Sequence, residues 1–241
     1  KIDACARALT AYGVRAGDAV SLCVLAMPEA VYLLYAINKI GAIANMLVMK
    51  ATEAEIHEKL AVTESKVVIT VDLALEKIVQ ASRETSVKHI IGVSLAESMP
   101  CVIGTLYKWK SKIKQENCIL FSEFLKAGQG KNVDCQEIKA DAPAVIAYTG
   151  GTTGKAKGVL LSNRAANTIA FQYKYADKVL DFQNGESFLD TIPPFLAYGL
   201  FWGVHMVLCV GLENILCPDP TAERFSQQFL KYKPNHLSGG A

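Results

Sequence analysis

Two rhythms of apolar positions run through the first part of the chain. Residues 19–26, 42–48, 66–71 and 88–93 are short, almost unbroken apolar runs. Residues 2–12, 29–40, 53–62 and 73–82 instead repeat apolar side chains every three or four positions. The first rhythm reads as strands buried on both faces and the second as amphipathic helices. The punctuation agrees. Gly13 and Gly41 follow two of the helices, Gly17-Asp18 forms a turn, and Pro28 with Glu29 suits a helix start. Thr52 and Glu55 have the spacing of a capping box for the helix at 53–62. Strand and helix in alternation predict an α/β fold of mostly parallel sheets with helices on both faces.

Residues 94–140 break the pattern. Lys108, Lys110, Lys112 and Lys114 alternate around Trp109, as on a solvated face, so the region reads as a surface excursion with one short helix near 122–126. From residue 141 the rhythm resumes. Short buried strands are expected at 144–147 and 159–161, then a helix from 164 to about 174 capped by Ser162-Asn163, with Ile169 and Phe171 in the core. A strand at 186–192, a buried helix at 200–210, a strand at 213–217, a helix at 221–232 and a further strand from 234 complete the order. The division this implies is a first subdomain over 1–140 and a second over 141–241. Residues 191–212 carry no formal charge, yet Pro193, Pro194, Gly199, Gly203, Gly211 and His205 interrupt them. They read as core, and no transmembrane segment is expected.

The connection between 144–147 and 159–161 is the most informative stretch. Residues 148–158 contain four glycines, three threonines and two lysines. A hairpin tip needs only about two to five turn residues. Glycine permits close backbone approach to a ligand, and successive main-chain N–H groups form a nest for an anion. Threonine hydroxyls add donors, and Lys155 and Lys157 add charge. A polyphosphate is the natural guest. A Walker loop is excluded, because Gly150 and Gly154 are one residue too close and Ala156 follows Lys155. The dinucleotide pattern G-x-G-x-x-G is also absent.

The stretch resembles the phosphate-binding motif of the adenylate-forming superfamily, Y-T-S-G-T-T-G-x-P-K-G-V, which includes acyl-CoA synthetases. Tyr148, Thr149, Gly151, Thr152, Thr153, Gly154, Lys157, Gly158 and Val159 match without a gap. Gly150 stands where serine is usual and Ala156 where proline is usual. A second run, Pro193-Pro194-Phe195-Leu196-Ala197-Tyr198-Gly199, resembles the family's next motif, which lines the acid pocket. Leu196 takes the place of its usual histidine or aromatic residue, and this favours an apolar acid, fatty or aromatic.

The resemblance implies an enzyme that joins a carboxylic acid to ATP as acyl-AMP, releases pyrophosphate and passes the acyl group to coenzyme A. ATP, Mg²⁺ and coenzyme A are the implied cofactors and co-substrates. Thr149, Gly150, Gly151, Thr152, Thr153, Gly154, Lys155 and Lys157 are the implied phosphate-binding residues, with Lys157, Thr152 and Thr153 acting in catalysis and Thr153 on the metal. Leu196, Tyr198 and Gly199 are the implied acid-pocket residues. The adenine, ribose, hinge and later lysine motifs have no counterpart here. The chain therefore reads as part of a truncated large domain, expected to be inactive alone. A domain that loads a carrier protein, and a silent nucleotide- or acyl-binding module, are the alternatives.

Composition narrows this further. A net charge of +2 over 241 residues offers no basic face for nucleic acid. Seven scattered cysteines without a C-x-x-C pair read as thiols of a reducing compartment, hence a cytoplasmic protein. Four separated histidines make no metal set. A homodimer stays open as an assembly.

Overall fold

A computed structural model describes residues 1–99, 104, 107, 118–133, 137–150, 156–175, 182–218 and 221–238. The first half alternates as expected. Helix α1 (Ile2–Ala11) leads into β1 (Ala19–Cys23), α2 (Pro28–Lys39), β2 (Ile43–Met46), α3 (Glu53–Thr63), β3 (Val67–Val71), α4 (Leu75–Ala81) and β4 (His89–Val93). The Thr52 capping box is complete: Thr52 Oγ1 accepts from the Glu55 N–H, and Glu55 Oε2 accepts from the Thr52 N–H. Gly13, Gly17 and Gly41 all take positive φ at the turns that separate these elements.

Then come β5 (Ile119–Leu120), α5 (Phe121–Ala127), β6 (Pro143–Thr149), β7 (Lys157–Ser162) and α6 (Asn163–Lys174). The larger sheet has seven strands in the order β5-β4-β3-β1-β2-β6-β7, parallel except for β7, which runs antiparallel to β6. Val20, Ser21, Leu22 and Cys23 of β1 are all fully buried, although their side chains alternate between faces. Both faces of the central sheet are thus covered. Helices α1, α2 and α5 pack together as one layer, and α3 packs with α4 as another.

A second sheet has three parallel strands in the order β10-β8-β9, from β8 (Ser187–Asp190), β9 (Glu213–Leu216) and β10 (His236–Ser238). Between β8 and β9 a π-helix (Gly199–Met206) continues into one α-turn, α7 (Val207–Cys209), and α8 (Ala222–Tyr232) precedes β10. Leu200 and Phe201 of the π-helix belong to the same core as the larger sheet.

Four expectations need correction. The strands divide between Ser162 and Ser187 rather than at residue 140, because the β6–β7 hairpin completes the larger sheet through parallel pairing of β6 with β2. The second strand of that hairpin is not buried: β7 ends the sheet, and Val159 and Leu160 are exposed. The surface excursion contributes to the core, since β5 extends the sheet and Phe121 and Phe124 are buried, with Phe124 stacked on Tyr12 at 5.7 Å. Phe171, expected in the core, is exposed, with its ring 4.3 Å from that of Tyr175, because it lies on the outward face of α6. The lysine run around Trp109 lies outside the described residues.

Candidate active site

The β6–β7 hairpin delivers the glycine-rich stretch to the carboxyl edge of the parallel strands, where open α/β sheets place their ligands. Thr149 pairs with Lys157 as the last rung of its ladder. Both are exposed, as is Gly150. A Cβ at Gly150 would meet no atom of the described residues within 4 Å, so the usual serine would displace none of them. Gly151, Thr152, Thr153, Gly154 and Lys155 lie outside the described residues. At the opposite end the hairpin is closed by Arg164, whose guanidinium makes two hydrogen bonds to Asp141, at 2.6 and 3.0 Å.

One rung further in, Tyr148 faces Gly158. A Cβ on Gly158 would stand 3.1 Å from the Tyr148 ring and 3.2 Å from Ile146. The glycine therefore lets the ring lie flat on the hairpin. From there Tyr148 starts a directed chain of hydrogen bonds. Its hydroxyl donates to Asn45 Oδ1 at 2.8 Å, and Asn45 Nδ2 donates to Ser21 Oγ at 2.8 Å. Ser21 donates to Ser65 Oγ at 2.8 Å, the Ser65 and Thr63 hydroxyls meet at 2.8 Å, and Thr63 donates to the Lys59 carbonyl at 2.8 Å. Lys59 Nζ in turn sits 4.4 Å from the centroid of the Tyr148 ring. Burial raises the Tyr148 phenol to about 12 and holds the Lys59 ammonium below its usual value. Beside this ring of residues, a cleft of about 440 Å³ runs between α3 and the open hairpin face, lined by Lys59, Val62, Ile146, Tyr148, Gly158 and Leu160.

The second motif follows the carboxyl end of β8. The Pro193 carbonyl accepts from the Leu196 N–H at 3.1 Å, and a Cβ on Gly199 would collide with that same carbonyl. Gly199 is buried for this reason. Leu196 and Tyr198 are exposed. Tyr198 stacks parallel to Trp202 at 6.2 Å, and Trp202 also meets Tyr173 at 3.9 Å. Phe195 packs against the larger core. Beneath the π-helix, the fully buried Asp190 accepts from the Ile192 N–H at 3.0 Å and is raised by burial to about 7. Two polar contacts tie α2 to neighbouring helices: Asn38 donates to Asn163 of α6 at 2.6 Å, and the Tyr35 hydroxyl meets His205 Nδ1 of the π-helix at 2.8 Å.

Sequence reasoning found both motifs and missed Ser21, Asn45, Lys59, Tyr35 and Asp190. A signal existed for two of these: Ser21 and Asn45 are single polar residues inside apolar strands, and a buried polar side chain needs a partner.

A family model described as AMP-binding enzyme matches residues 1–239. The long-chain-fatty-acid–CoA ligase of Bacillus subtilis (strain 168) is 28% identical over 236 residues, which is 94% of this chain and 42% of that protein. An acetyl-coenzyme A synthetase of Vibrio cholerae is 30% identical over 250 residues, 96% of this chain and 36% of that protein. Among solved structures, the anthranilate CoA ligase AuaEII in complex with anthranoyl-AMP superposes with a TM-score of 0.81 at 20% identity, covering 98% of this chain and 42% of that one. The N-terminal domain of FACL13 from Mycobacterium tuberculosis gives 0.76 at 22% identity, covering 99% and 53%. The chain spans about two-fifths of the length of these curated relatives. No helix among the described residues is long and apolar enough to cross a membrane.

Proposed function

Since the chain belongs to the AMP-binding enzyme family, we propose that it forms the phosphate-binding part of an acid–CoA ligase. Its parent protein activates a carboxylic acid with ATP as acyl-AMP, releases pyrophosphate and transfers the acyl group to coenzyme A. The observation that carries this reading is the Thr149–Lys157 rung, exposed at the carboxyl edge of a parallel sheet with the glycine-rich stretch between its two residues.

Departure of pyrophosphate spreads negative charge over the β- and γ-phosphates, and preorganised N–H donors and a lysine stabilise it. The Lys157 ammonium and the main chain from Thr149 onward are assigned that role, with Thr152, Thr153 and Lys155 beside them. Mg²⁺ supplies further charge neutralisation when it arrives with the nucleotide. Its assigned contact, Thr153, is outside the described residues, and no group of three His, Cys, Asp or Glu side chains gathers among the residues described. Leu196, Tyr198 and Gly199 are assigned to the acid pocket. The exposed Leu196 and the Tyr198–Trp202 stack offer apolar and aromatic surface, which supports a fatty or aromatic acid.

The test is acid-dependent exchange of pyrophosphate into ATP by the full-length protein, run against acids from acetate to palmitate and against benzoate. Exchange with an apolar acid, lost by about a hundredfold or more in Lys157→Ala, is expected. Equal exchange in that variant removes Lys157 from the reaction, and no exchange with any acid removes the ligase reading. These 241 residues alone are expected to show no exchange.

A further inference from the structure

The hydrogen-bond chain that begins at Tyr148 returns to it. It runs Tyr148, Asn45, Ser21, Ser65, Thr63 to the carbonyl of Lys59, whose own ammonium then covers the Tyr148 ring. Ser21, Asn45 and Ser65 are fully buried and Lys59 is 8% exposed. The circuit links β1, β2, β6 and α3. A lysine in such a position has lost most of its hydration, and the face of an aromatic ring is one of the few neutral surfaces that attract it. The nearby carboxylates of Glu55 and Glu58 favour its charged form.

We propose that Lys59 is a positioning residue for the phosphate loop, acting through Tyr148; the inference rests on the ligase reading above. Among the described residues the hairpin is paired on one side, by β2, and β7 is an edge strand whose residues from Lys157 to Leu160 are exposed. Among the described residues of the hairpin, Tyr148 lies close to the tip and has partners on the body of the domain, Asn45 and Lys59. The Lys59 ammonium on one part of the ring and Asn45 on the hydroxyl hold it over Gly158. The next rung outward is Thr149–Lys157, from which the loop departs. Holding Tyr148 therefore sets where the first loop amides and Lys157 stand before nucleotide arrives, and preorganisation of that kind is paid back as affinity.

The experiment measures binding of ATP with Mg²⁺ to the full-length protein by calorimetry, together with amide hydrogen exchange across 144–149 and 156–161. Lys59→Met keeps the apolar stem and removes the charge, and Lys59→Arg keeps a cation that stacks on rings. Lys59→Met is expected to weaken ATP binding about five- to twentyfold and to speed exchange at the hairpin tip, with Lys59→Arg restoring both. The double variant with Tyr148→Leu decides whether Lys59 works through the ring. An effect no larger than that of Tyr148→Leu alone supports positioning, whereas full additivity overturns it in favour of direct contact with nucleotide. Unchanged ATP affinity and unchanged exchange in Lys59→Met also overturn it. Wild-type protein that binds no ATP instead removes the ligase reading, and the hydrogen-exchange arm still reports whether the clamp holds.

Discussion

The Asp190 carboxylate fills the space that a side chain at Gly203 would need. The strand residue and the π-helix residue are thus matched to one another: a helix that crosses a buried acid so closely must be bare at the crossing. The pairing also leaves the acid poorly solvated, with the Ile192 N–H as the donor to it among the described residues. Gly203→Ala is expected to cost about 1–3 kcal/mol by overpacking, read as a lower Tm of the full-length protein.

The same burial makes stability depend on pH. The Asp190 carboxyl is raised from 3.8 to about 7, so the folded state holds a proton that the unfolded chain has released. Stability from this group therefore falls as pH rises from about 4 to about 7, and the full cost of a buried carboxylate is present above that. Asp190→Asn keeps the acceptor for Ile192 and removes the charge. It is expected to stabilise the protein by about 2–4 kcal/mol at pH 8 and by little at pH 4. Thermal melting of both proteins across that range checks it, and equal pH slopes would contradict it.

Two glycines of the glycine-rich stretch should respond differently. A methyl on Gly158 meets the Tyr148 ring and Ile146, while one on Gly150 meets nothing among the described residues. Gly158→Ala is expected to lower stability by about 1–2 kcal/mol and to free the Tyr148 hydroxyl from Asn45. Gly150→Ser is expected to leave stability within about 0.5 kcal/mol and, on the ligase reading, to tighten ATP binding by adding a hydroxyl donor. Denaturant titration and calorimetry with ATP and Mg²⁺ separate the two.

Phe124 tests whether the segment after residue 118 is structural. It is fully buried between Phe121 and Tyr12, 5.8 and 5.7 Å away between ring centroids. Phe124→Ala is expected to cost about 3–5 kcal/mol, a value that a surface excursion would not give. Urea unfolding measures it.

Thiol labelling should follow burial. Cys5 and Cys23 are buried, and burial raises each thiol to about 11. Cys209 is exposed at the end of α7, with its sulfur 3.6 Å from His205 Nε2. Iodoacetamide at pH 7.5 followed by peptide mapping is expected to mark Cys209 and to leave Cys5 and Cys23 unmodified until the protein unfolds.

The parts of this molecule legible in its sequence are those governed by local rules. The doubly covered strands, the Thr52 capping box and the turn glycines follow from periodicity and backbone chemistry within a few residues. The exposure of Leu160 does not, because an apolar strand is buried only if something is laid on it, and β7 is the last strand of its sheet. The role of Phe124 was hidden for the converse reason: the helix that carries it is short, and its partner Tyr12 is more than a hundred residues earlier in the chain. The glycine-rich stretch announced the candidate site. The side chains that hold that stretch in place did not, since Ser21, Asn45, Lys59 and Tyr148 meet only after four separate elements have packed.

The position of β7 has one more effect. Its outer rail of main-chain groups faces away from β6, and Val159 and Leu160 present apolar surface beside it. A bare, greasy margin of that sort is a template on which a second extended segment can zip, and a charge within the strand is what discourages it. Lys157 is the charged residue in β7. Neutralising it thus removes a guard against clumping along with the proposed phosphate contact, and the Lys157→Ala protein must be shown to be dispersed before any loss of turnover is ascribed to chemistry.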